Sequence, residues 1–384
     1  MTSLRSNRQL MRVLQMLSAF LLGVVLSQIF GQTFCGLGKV EEIDDQSYLL
    51  VALVLTAPKN VERREAMRET WMSLRPRILE GPEYQRDVIF VPRLLLSSFL
   101  EVESSEQQKL HHRNYQNWLT SKTVPNVKVP GIKIKHLFAV GTLGLSDEEI
   151  DQIKSEQKVY SDLLLIDDLF DSYPNLTLKM IKSTEKLVQT TPNFKFLLKI
   201  DDDSYVKLDL LAQDLIQYSS RLAAMQQRKQ TLDNLELYWG YFNGRASIKK
   251  SGQWQEVNYN LCDRYVPYAL GGGYVLSRNL VKYIAEHGQN LNRYISEDIS
   301  VGTWLSPFRN IHRRHDLRFD TAYMPRKCKS SHFVLHKRTI KDMREIHSGN
   351  LCFSEVAYDA SKRPAEYFYD WTQSPSKCCD NRNL

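Results

Sequence analysis

Cysteine is scarce in the first two-thirds of this 384-residue chain, where Cys35 is the only one before Cys262. No CxxC pair occurs among the six cysteines, which argues against a structural zinc cluster. The chain has no HExxH sequence, and no GKS or GKT triplet follows a glycine-rich stretch, so zinc-protease and P-loop signatures are both missing. Internal repeats and low-complexity tracts are also absent. The chemistry must therefore be sought in other motifs.

A large excess of charge of one sign is also lacking. The formal net charge is +7 at pH 7, but Arg5, Arg8 and Arg12 precede the first apolar segment, which leaves about +4 for the rest. This excess is too small to argue for nucleic-acid binding. With 42% hydrophobic and 25% charged residues, the composition is that of a globular protein, and the length suggests one or two domains.

One apolar run, from Val13 to Phe34, is close to the length of about 20 residues that spans a bilayer. Basic residues precede it and acidic residues follow it, so the positive-inside rule places residues 1–12 in the cytosol. Residues 35–46 then form a short stem, and residues 47–384 form the domain beyond the membrane. A cleaved signal peptide is the alternative, but its apolar centre is usually only about 7–15 residues long. We therefore expect an uncleaved signal anchor and a single-pass type II membrane protein.

Two features predict an oxidising, secretory-pathway compartment. Asn175 begins the chain's only N-glycosylation acceptor sequence. Five cysteines lie in the last third, where disulfides are expected: Cys262, Cys328, Cys352, Cys378 and Cys379. Because five is an odd number, one thiol is free or pairs elsewhere, for example between chains. The neighbouring Cys378 and Cys379 are not expected to bond each other.

Short apolar runs alternate with helical patterns along the chain after the stem. Strands are predicted at residues 48–56, 132–141, 163–166 and 194–200. Helices are predicted at residues 62–71 and 146–160, in a stretch that ends at about residue 189, and in a stretch that begins at residue 208. This alternation predicts an α/β fold with a largely parallel sheet covered by helices. In the second half, residues 237–254 predict a hairpin with its turn near Gly252, and glycines 271–273 predict a turn before a strand. Residues 72–130 carry no catalytic signature.

Three consecutive carboxylates, Asp201, Asp202 and Asp203, follow the apolar strand at residues 194–200. In open α/β sheets, ligands bind beyond the carboxyl ends of strands, so these acids fall where such folds place their chemistry. Adjacent unpaired carboxylates repel one another, and a divalent cation such as Mg²⁺ or Mn²⁺ removes that repulsion. The alternative is that Asp203 or Ser204 only caps the helix that follows.

Arg64 and Arg68 lie four residues apart in a strongly charged helical stretch and would share one face of that helix. Beyond a strand end, two forked guanidinium groups can hold phosphate. A solvated helix with Glu–Arg pairs is the alternative, and the pattern alone favours it.

Two further stretches carry candidate site residues. Glu297 and Asp298 stand at a predicted helix start, where a carboxylate acts either as a cap or as a general base. Glycines 271–273 would let the backbone approach a ligand closely. His332 and His336 flank an apolar stretch that predicts a strand, so they do not form a helical zinc pair. One imidazole can complete the cation site, and a structural histidine is the alternative.

Five motifs occur in a fixed order along the chain. They are RRxAxRxTW at 63–71, DxYxNLTLK at 171–179, KxDDD at 199–203, YxPYxxGxGYxxS at 265–277 and EDxxxG at 297–302. Together, from about residue 48 to the end, they resemble the β1,3-glycosyltransferase family of galactosyltransferases, N-acetylglucosaminyltransferases and Fringe enzymes. The stretches YWGYFNGR, YALGGGYVLS and SEDIS and a late DW and CC are most similar to its galactosyltransferases of the glycosaminoglycan linkage region.

The resemblance implies a GT-A-like, Rossmann-type mixed α/β sheet flanked by helices, in a Golgi type II membrane protein. It implies Asp298 as the catalytic base and Mn²⁺ as the cofactor. The implied metal ligands are Asp201, Asp203 and His336. The implied donor-binding residues are Arg64, Arg68, Lys199, Asp201 and Asp202. The implied acceptor-side candidates are Tyr268, Gly272, Gly273 and Glu297.

The implied activity is an inverting transfer of galactose from UDP-galactose, in β1,3 linkage, to Gal-β1,4-Xyl of the proteoglycan linkage tetrasaccharide. The implied partners are the UDP-sugar donor, a glycan acceptor on a proteoglycan core protein and the Golgi membrane. No nucleic acid is expected, and a homo-oligomer is compatible with the sequence. Two alternatives stay open: a β1,3-N-acetylglucosaminyltransferase of the same family, and a non-catalytic lumenal sugar-binding protein. The presence of both the triple Asp and the Glu297-Asp298 pair argues against the second.

Overall fold

The computed structural model describes residues 47–73, 133–227, 235–324, 332–348 and 366–379. The predicted tail, anchor and stem, residues 1–46, lie outside these ranges, as does nearly all of the segment 72–130. Within the described residues, no helix combines the length and the apolar character that crossing a membrane requires.

Strands and helices alternate through the first half of the described chain, as predicted. The elements are β1 (Tyr48–Leu55), α1 (Val61–Glu69), β2 (Ile134–Gly141), α2 (Asp147–Tyr160), β3 (Leu163–Ile166), a 3₁₀ turn (Tyr173–Asn175), α3 (Leu176–Thr190) and β4 (Phe194–Asp201). Helix α2 begins with a capping box, in which Ser146 and Glu149 each accept a hydrogen bond from the other's amide. Strand β1 is buried at every position after Tyr48, because a central strand is covered on both faces and must be apolar throughout.

The second half supplies the remaining elements and the second sheet. They are β5 (Tyr205–Val206), α4 (Leu208–Gln227), β6 (Glu236–Asn243), β7 (Tyr268–Ser277), α5 (Arg278–His287), α6 (Glu297–Trp304), β8 (Ile311–His315), β9 (Phe319–Asp320), β10 (Val334–Leu335) and α7 (Ile340–His347). Glu297 and Asp298 open helix α6, as predicted, and the stretch between His332 and His336 contains a short strand, as predicted.

Seven strands form one mixed sheet in the order β3-β2-β1-β4-β7-β6-β8. Within this sheet, β7 runs antiparallel to both neighbours, and the other six described strands share one direction. The largely parallel α/β sheet is therefore confirmed. Strands β1 and β4 lie side by side with Leu55 paired to Asp201, so the acids extend from the same edge at which β1 ends. The small sheet β5-β10-β9 packs on β7, where Val334 lies against Gly273.

The hairpin predicted for residues 237–254 is wrong. Strand β6 pairs antiparallel with β7, so residues 244–267 form an irregular connection, called here the β6–β7 excursion. The turn at Gly252 exists, with a positive φ of 83°, but it lies inside the excursion. Glycines 271–273 lie within β7 and not in a turn before it. The residues around Gly252 were enough to predict a turn there. The strand that pairs with β6 depends instead on burial of β7, which lies more than 20 residues further along the chain.

A disulfide joins the neighbouring Cys378 and Cys379, which corrects the expectation that these two would not pair. Both residues are buried beside Gly244, where an added Cβ would lie 2.7 Å from the Cys378 sulfur. The buried disulfide therefore packs against this glycine. Cys262 is the free, exposed cysteine of the described residues.

Candidate active site

The connection after β1 holds the middle acid of the triple Asp. The Thr56 hydroxyl and the Asn60 side-chain amide both donate to Asp202 Oδ2 at 2.7 Å. The Arg63 guanidinium lies 3.5 Å from the Asp202 carbonyl. Sequence reasoning missed these three residues. The signal that could have found them is the end of β1, because neighbouring parallel strands present their carboxyl ends at one sheet edge.

Asp201, Asp203 and His336 converge on one point. Their ligand atoms all lie within 4.8 Å of one another. His336 Nε2 lies 3.0 Å from Asp203 Oδ1 and 3.5 Å from Asp201 Oδ2. Pairing of β10 with β5 brings the imidazole back to the acids, because β5 begins two residues after Asp203. We call these three residues the metal group.

The metal group fits a divalent cation. Asp203 Oδ1 and His336 Nε2 are buried, lie 3.0 Å apart and have no hydrogen-bond partner outside the metal group, which is rare for buried polar atoms. Burial alone would lower the pKa of His336, but the carboxylates of Asp201 and Asp203 outweigh it and raise that pKa to about 9. The point between these atoms therefore favours positive charge. Two carboxylates and an imidazole are a donor set that suits Mg²⁺ or Mn²⁺.

Gly272 makes room for the histidine of the metal group. A Cβ added at Gly272 would lie 2.5 Å from His336 ring atoms, and one at Gly273 would lie 2.9 Å from Val334 Cγ1. Both glycines were expected to let a ligand approach the backbone. In the structure the space above them is filled by the side chains of His336 and Val334, and a ligand contact at either glycine stays a prediction. Only glycine at 272 allows the imidazole to reach the acids.

Replacing Gly272 with Ala is expected to displace His336 and to weaken Mn²⁺ binding by about 10–100-fold, the usual effect of disturbing the support of a metal ligand. Calorimetric titration of the purified protein with Mn²⁺ measures this change. The matched control is Gly240→Ala, which adds the same methyl group within the sheet, 3.0 Å from the Ala269 Cβ and in strand β6. Equal Mn²⁺ affinity in Gly272→Ala and the wild type would contradict the packing role.

Lys199 links the metal group to helix α6. It is 1% exposed, and its ammonium donates to Asp201 Oδ1 at 2.8 Å and to the Gly271 carbonyl at 2.7 Å. It also pairs with Glu297 Oε2 at 3.0 Å, and Glu297 Oε1 accepts from the Tyr274 hydroxyl. Lys199 was expected to bind the donor and Glu297 to face the acceptor. In the structure these buried groups bind each other, and their contacts with the donor and the acceptor stay predictions.

Asp298 is held at the first turn of α6. Its Oδ2 accepts from the Gly271 amide at 2.8 Å, and its Oδ1 accepts from the Ile299 amide at 2.9 Å. Burial and the neighbouring Glu297 raise the pKa of Asp298 to about 7, against the opposing effect of Lys199 and the two amides. A carboxylate with a pKa near the working pH is suited to general-base catalysis. The Lys199 ammonium binds both Asp201 and the Gly271 carbonyl, and the Gly271 amide donates to Asp298, so one chain of hydrogen bonds joins Asp298 to the metal group.

Arg64 and Arg68 bind residues other than Asp298 and the metal group. Arg64 is fully buried, and its guanidinium donates to both carboxylate oxygens of Glu156 and to two backbone carbonyls. Arg68 pairs with Glu156 and Asp162. These ion pairs fasten α1 to α2, and the expected contact of the two arginines with the donor stays a prediction. The alternative of Glu–Arg pairs is present in part. The glutamate of these pairs, Glu156, lies on helix α2 instead of on the helix of the arginines, and the pairs are buried.

The remaining predicted residues lie around the site with different exposures. Tyr268 is 7% exposed and packs on α6, where a Cβ at Gly302 would lie 2.4 Å from the Tyr268 Cβ. Its ring is therefore largely enclosed, and its expected contact with an acceptor stays a prediction. Asn175 is half-buried and its amide donates to the Phe170 carbonyl at 3.0 Å; its glycosylation stays a prediction.

Comparisons with known proteins identify the family of this chain. The family model described as Galactosyltransferase matches residues 113–316. The chain belongs to the galactosyltransferase family. Within it, the mouse protein named Beta-1,3-galactosyltransferase 6 is 38% identical over 338 residues, which cover 87% of this chain and 83% of that relative.

More distant similarities are also present. The human protein named UDP-GalNAc:beta-1,3-N-acetylgalactosaminyltransferase 2 is 32% identical over 159 residues, covering 41% of this chain and 29% of that relative. A solved apo structure of the bifunctional glycosyltransferase WbbM overlaps 72% of this chain and 39% of its own, with a TM-score of 0.31 and 11% identity. That overlap is too weak to support an argument about function.

Proposed function

We propose that this protein transfers galactose from UDP-galactose, with inversion and in β1,3 linkage, to the galactose of Gal-β1,4-Xyl in the proteoglycan linkage region. The observation that carries the proposal is the chain of hydrogen bonds that joins Asp201 of the metal group to Asp298 through Lys199 and Gly271. Similarity to a relative named a β1,3-galactosyltransferase supports the sugar and the linkage. The sheet, with its acids beyond β1 and β4, supports a GT-A-like arrangement.

The metal group would hold Mn²⁺ at the end of β4. When bound, the cation neutralises negative charge on the diphosphate of the leaving UDP. Asp202 is held by Thr56 and Asn60 and marks the side on which we place the nucleotide. The Lys199 ammonium donates a 2.8 Å hydrogen bond to Asp201 Oδ1. This bond fixes the orientation of the Asp201 carboxylate.

Asp298 is the proposed general base. Its carboxylate takes the proton from the acceptor hydroxyl, whose oxygen forms the new bond to the anomeric carbon. The bond from that carbon to the UDP oxygen breaks, and UDP leaves with the electron pair. One displacement from an α-linked donor gives a β product, so no covalent enzyme intermediate is required. The amides of Gly271 and Ile299 keep the carboxylate pointed at one position.

The pH dependence of transfer follows from the pKa of Asp298. Only the deprotonated carboxylate can accept a proton, so kcat/KM is expected to fall about tenfold per pH unit below about 7 and to level off above it. Initial rates at saturating Mn²⁺ between about pH 5.5 and 8.5 measure the profile, with saturation keeping the metal group loaded. A profile that is flat through pH 7 would contradict the base assignment.

The direct test of the function is incubation of the full-length protein in detergent with Mn²⁺, UDP-galactose and methyl β-galactosyl-xyloside. We expect a β1,3-linked galactose in the product, identified by linkage analysis, and loss of transfer after chelation of the metal. UDP-N-acetylglucosamine in place of UDP-galactose tests the other transferase activity. The absence of sugar transfer and of metal-dependent UDP release would instead support a non-catalytic sugar-binding protein.

We also propose residence in the Golgi membrane with the catalytic domain in the lumen. The support is the apolar run at residues 13–34 with its preceding basic residues. Protection of a carboxyl-terminal tag from protease in intact Golgi vesicles tests the orientation.

A further inference from the structure

The β6–β7 excursion is fixed to the segment that carries Asp298. The Glu256 carboxylate accepts from the Ile295 amide at 2.7 Å, three residues before Asp298. Tyr259 of the excursion is buried in one apolar cluster with Ile299, the residue after Asp298. The excursion therefore has a defined position relative to the proposed base.

A second segment is fixed to the same place from another direction. It consists of the 3₁₀ turn Tyr173–Asn175 and the start of α3. The Thr177 hydroxyl donates to the Tyr294 carbonyl at 2.7 Å and lies 3.4 Å from the Ser300 hydroxyl. Both segments are thus anchored on residues 294–300, on either side of Asp298.

Trp254 and Tyr173 project from these two segments and meet. The Trp254 side chain lies close enough to the Tyr173 hydroxyl to lower its pKa, yet the two residues remain 40% and 42% exposed. Burial of the hydroxyl and the charge of Asp298 raise the pKa of Tyr173 to about 12, and Asp201 contributes in the same direction. The hydroxyl is therefore within electrostatic range of both carboxylates, as expected from the anchoring of its segment on residues 294–300. Two exposed aromatic side chains at such a point form a contact surface for a ligand.

We propose that Trp254 and Tyr173 form a platform that binds a sugar ring of the acceptor, an inference that rests on the proposed transferase function. One face of a pyranose ring presents C–H groups, which pack on aromatic side chains, while the indole N–H and the phenol remain polar handles. The acceptor hydroxyl must come within hydrogen-bond reach of Asp298. The ring that bears this hydroxyl must then rest on the surface beside Asp298, which this platform supplies.

The alternative occupant of the platform is the uracil ring of the donor, which can also stack on aromatic residues. Asp202 and its partners Thr56 and Asn60 lie at the end of β1, and we place the nucleotide there. The platform instead lies on the β6–β7 excursion and on the segment at the start of α3, and both of these are hydrogen-bonded to residues 294–300. The observations therefore favour the acceptor.

The test uses Trp254→Ala and Trp254→Phe in the full-length protein, with methyl β-galactosyl-xyloside, whose aglycone offers no aromatic ring. We expect Trp254→Ala to raise the acceptor KM about tenfold with the KM for UDP-galactose unchanged, and Trp254→Phe to restore most of the loss. Addition of the xyloside alone should also change the tryptophan fluorescence of the wild type and change it less in Trp254→Phe. The matched control is Val257→Ala, which alters a residue 80% exposed on the same excursion and should leave both KM values unchanged.

An unchanged acceptor KM in Trp254→Ala would overturn the platform while leaving the transferase function intact. A raised KM for UDP-galactose, or weaker binding of UDP alone, would also overturn it, because the uracil would then be the occupant. If the wild type transfers no galactose but the xyloside still changes its fluorescence through Trp254, the proposed function fails and the sugar platform stands. Circular dichroism of each variant confirms that the fold is retained.

Discussion

Replacing Asp298 with Asn is expected to lower the rate of galactose transfer by about 10²–10⁴-fold, the usual contribution of a positioned general base. Asn keeps the size of the side chain and can still accept from the Gly271 amide, but it cannot take a proton. The replacement also removes a carboxylate next to the buried Glu297, so folding should not suffer. The measurements are kcat with saturating donor and acceptor, and the affinity for UDP with Mn²⁺, which should stay at the wild-type value.

The matched control for this variant is Asp147→Asn. Asp147 is also an acid in the first turn of a helix, is exposed, and lies far along the chain from the site. If Asp298 were only a helix cap, both variants would change stability slightly and leave the rate unchanged. A full transfer rate in Asp298→Asn would therefore refute the base and support the cap.

Replacing Lys199 with Met is expected to lower the free energy of unfolding by about 3–5 kcal/mol, the range for removing one partner of a buried ion pair. The reason is that Lys199 and Glu297 are 1% and 2% exposed, so Glu297 would remain charged, buried and without its cation. Asp201 would also lose the bond that orients it, so Mn²⁺ affinity should fall with stability. Urea denaturation followed by tryptophan fluorescence measures the stability change.

Two comparisons separate charge from packing in this experiment. The double variant Lys199→Met with Glu297→Gln should recover part of the lost stability, because no uncompensated carboxylate remains at position 297. Lys282→Met removes a lysine whose pair with Glu286 is about half exposed on both sides, and such surface pairs contribute about 0–1 kcal/mol. Equal losses in Lys199→Met and Lys282→Met would contradict the buried network.

Elements with a strong local pattern were predictable. The strand ending at Asp201 is apolar because both of its faces are covered, and the helix after Ser146 begins with a capping box that needs only four residues. The hairpin at residues 237–254 failed because a strand's partner depends on burial of a segment more than 20 residues away, here β7. A turn at Gly252 is a local property, whereas the register of a sheet is not.

The candidate site also contains some residues that the local sequence predicted and some contacts that it did not. The chain order places Asp201 and Asp203 at a strand end and Asp298 at a helix start, and similarity of motifs pointed to His336. Sequence alone could not show that Lys199 and Glu297 bind each other, since it does not state which charged groups are removed from water. For the same reason, Arg64 was expected at a ligand and is found buried against Glu156.

By itself, the sequence determined the α/β class, the sheet edge at which the acids lie and the chemical types of the acidic and imidazole groups, because each follows from neighbours in the chain. Only the tertiary structure decided that Gly272 is the space for an imidazole, that Thr56 and Asn60 hold Asp202, and that Trp254 stands beside Tyr173. These are contacts between residues 64 to 146 positions apart. Their free energies arise from packing and desolvation, which no local pattern encodes.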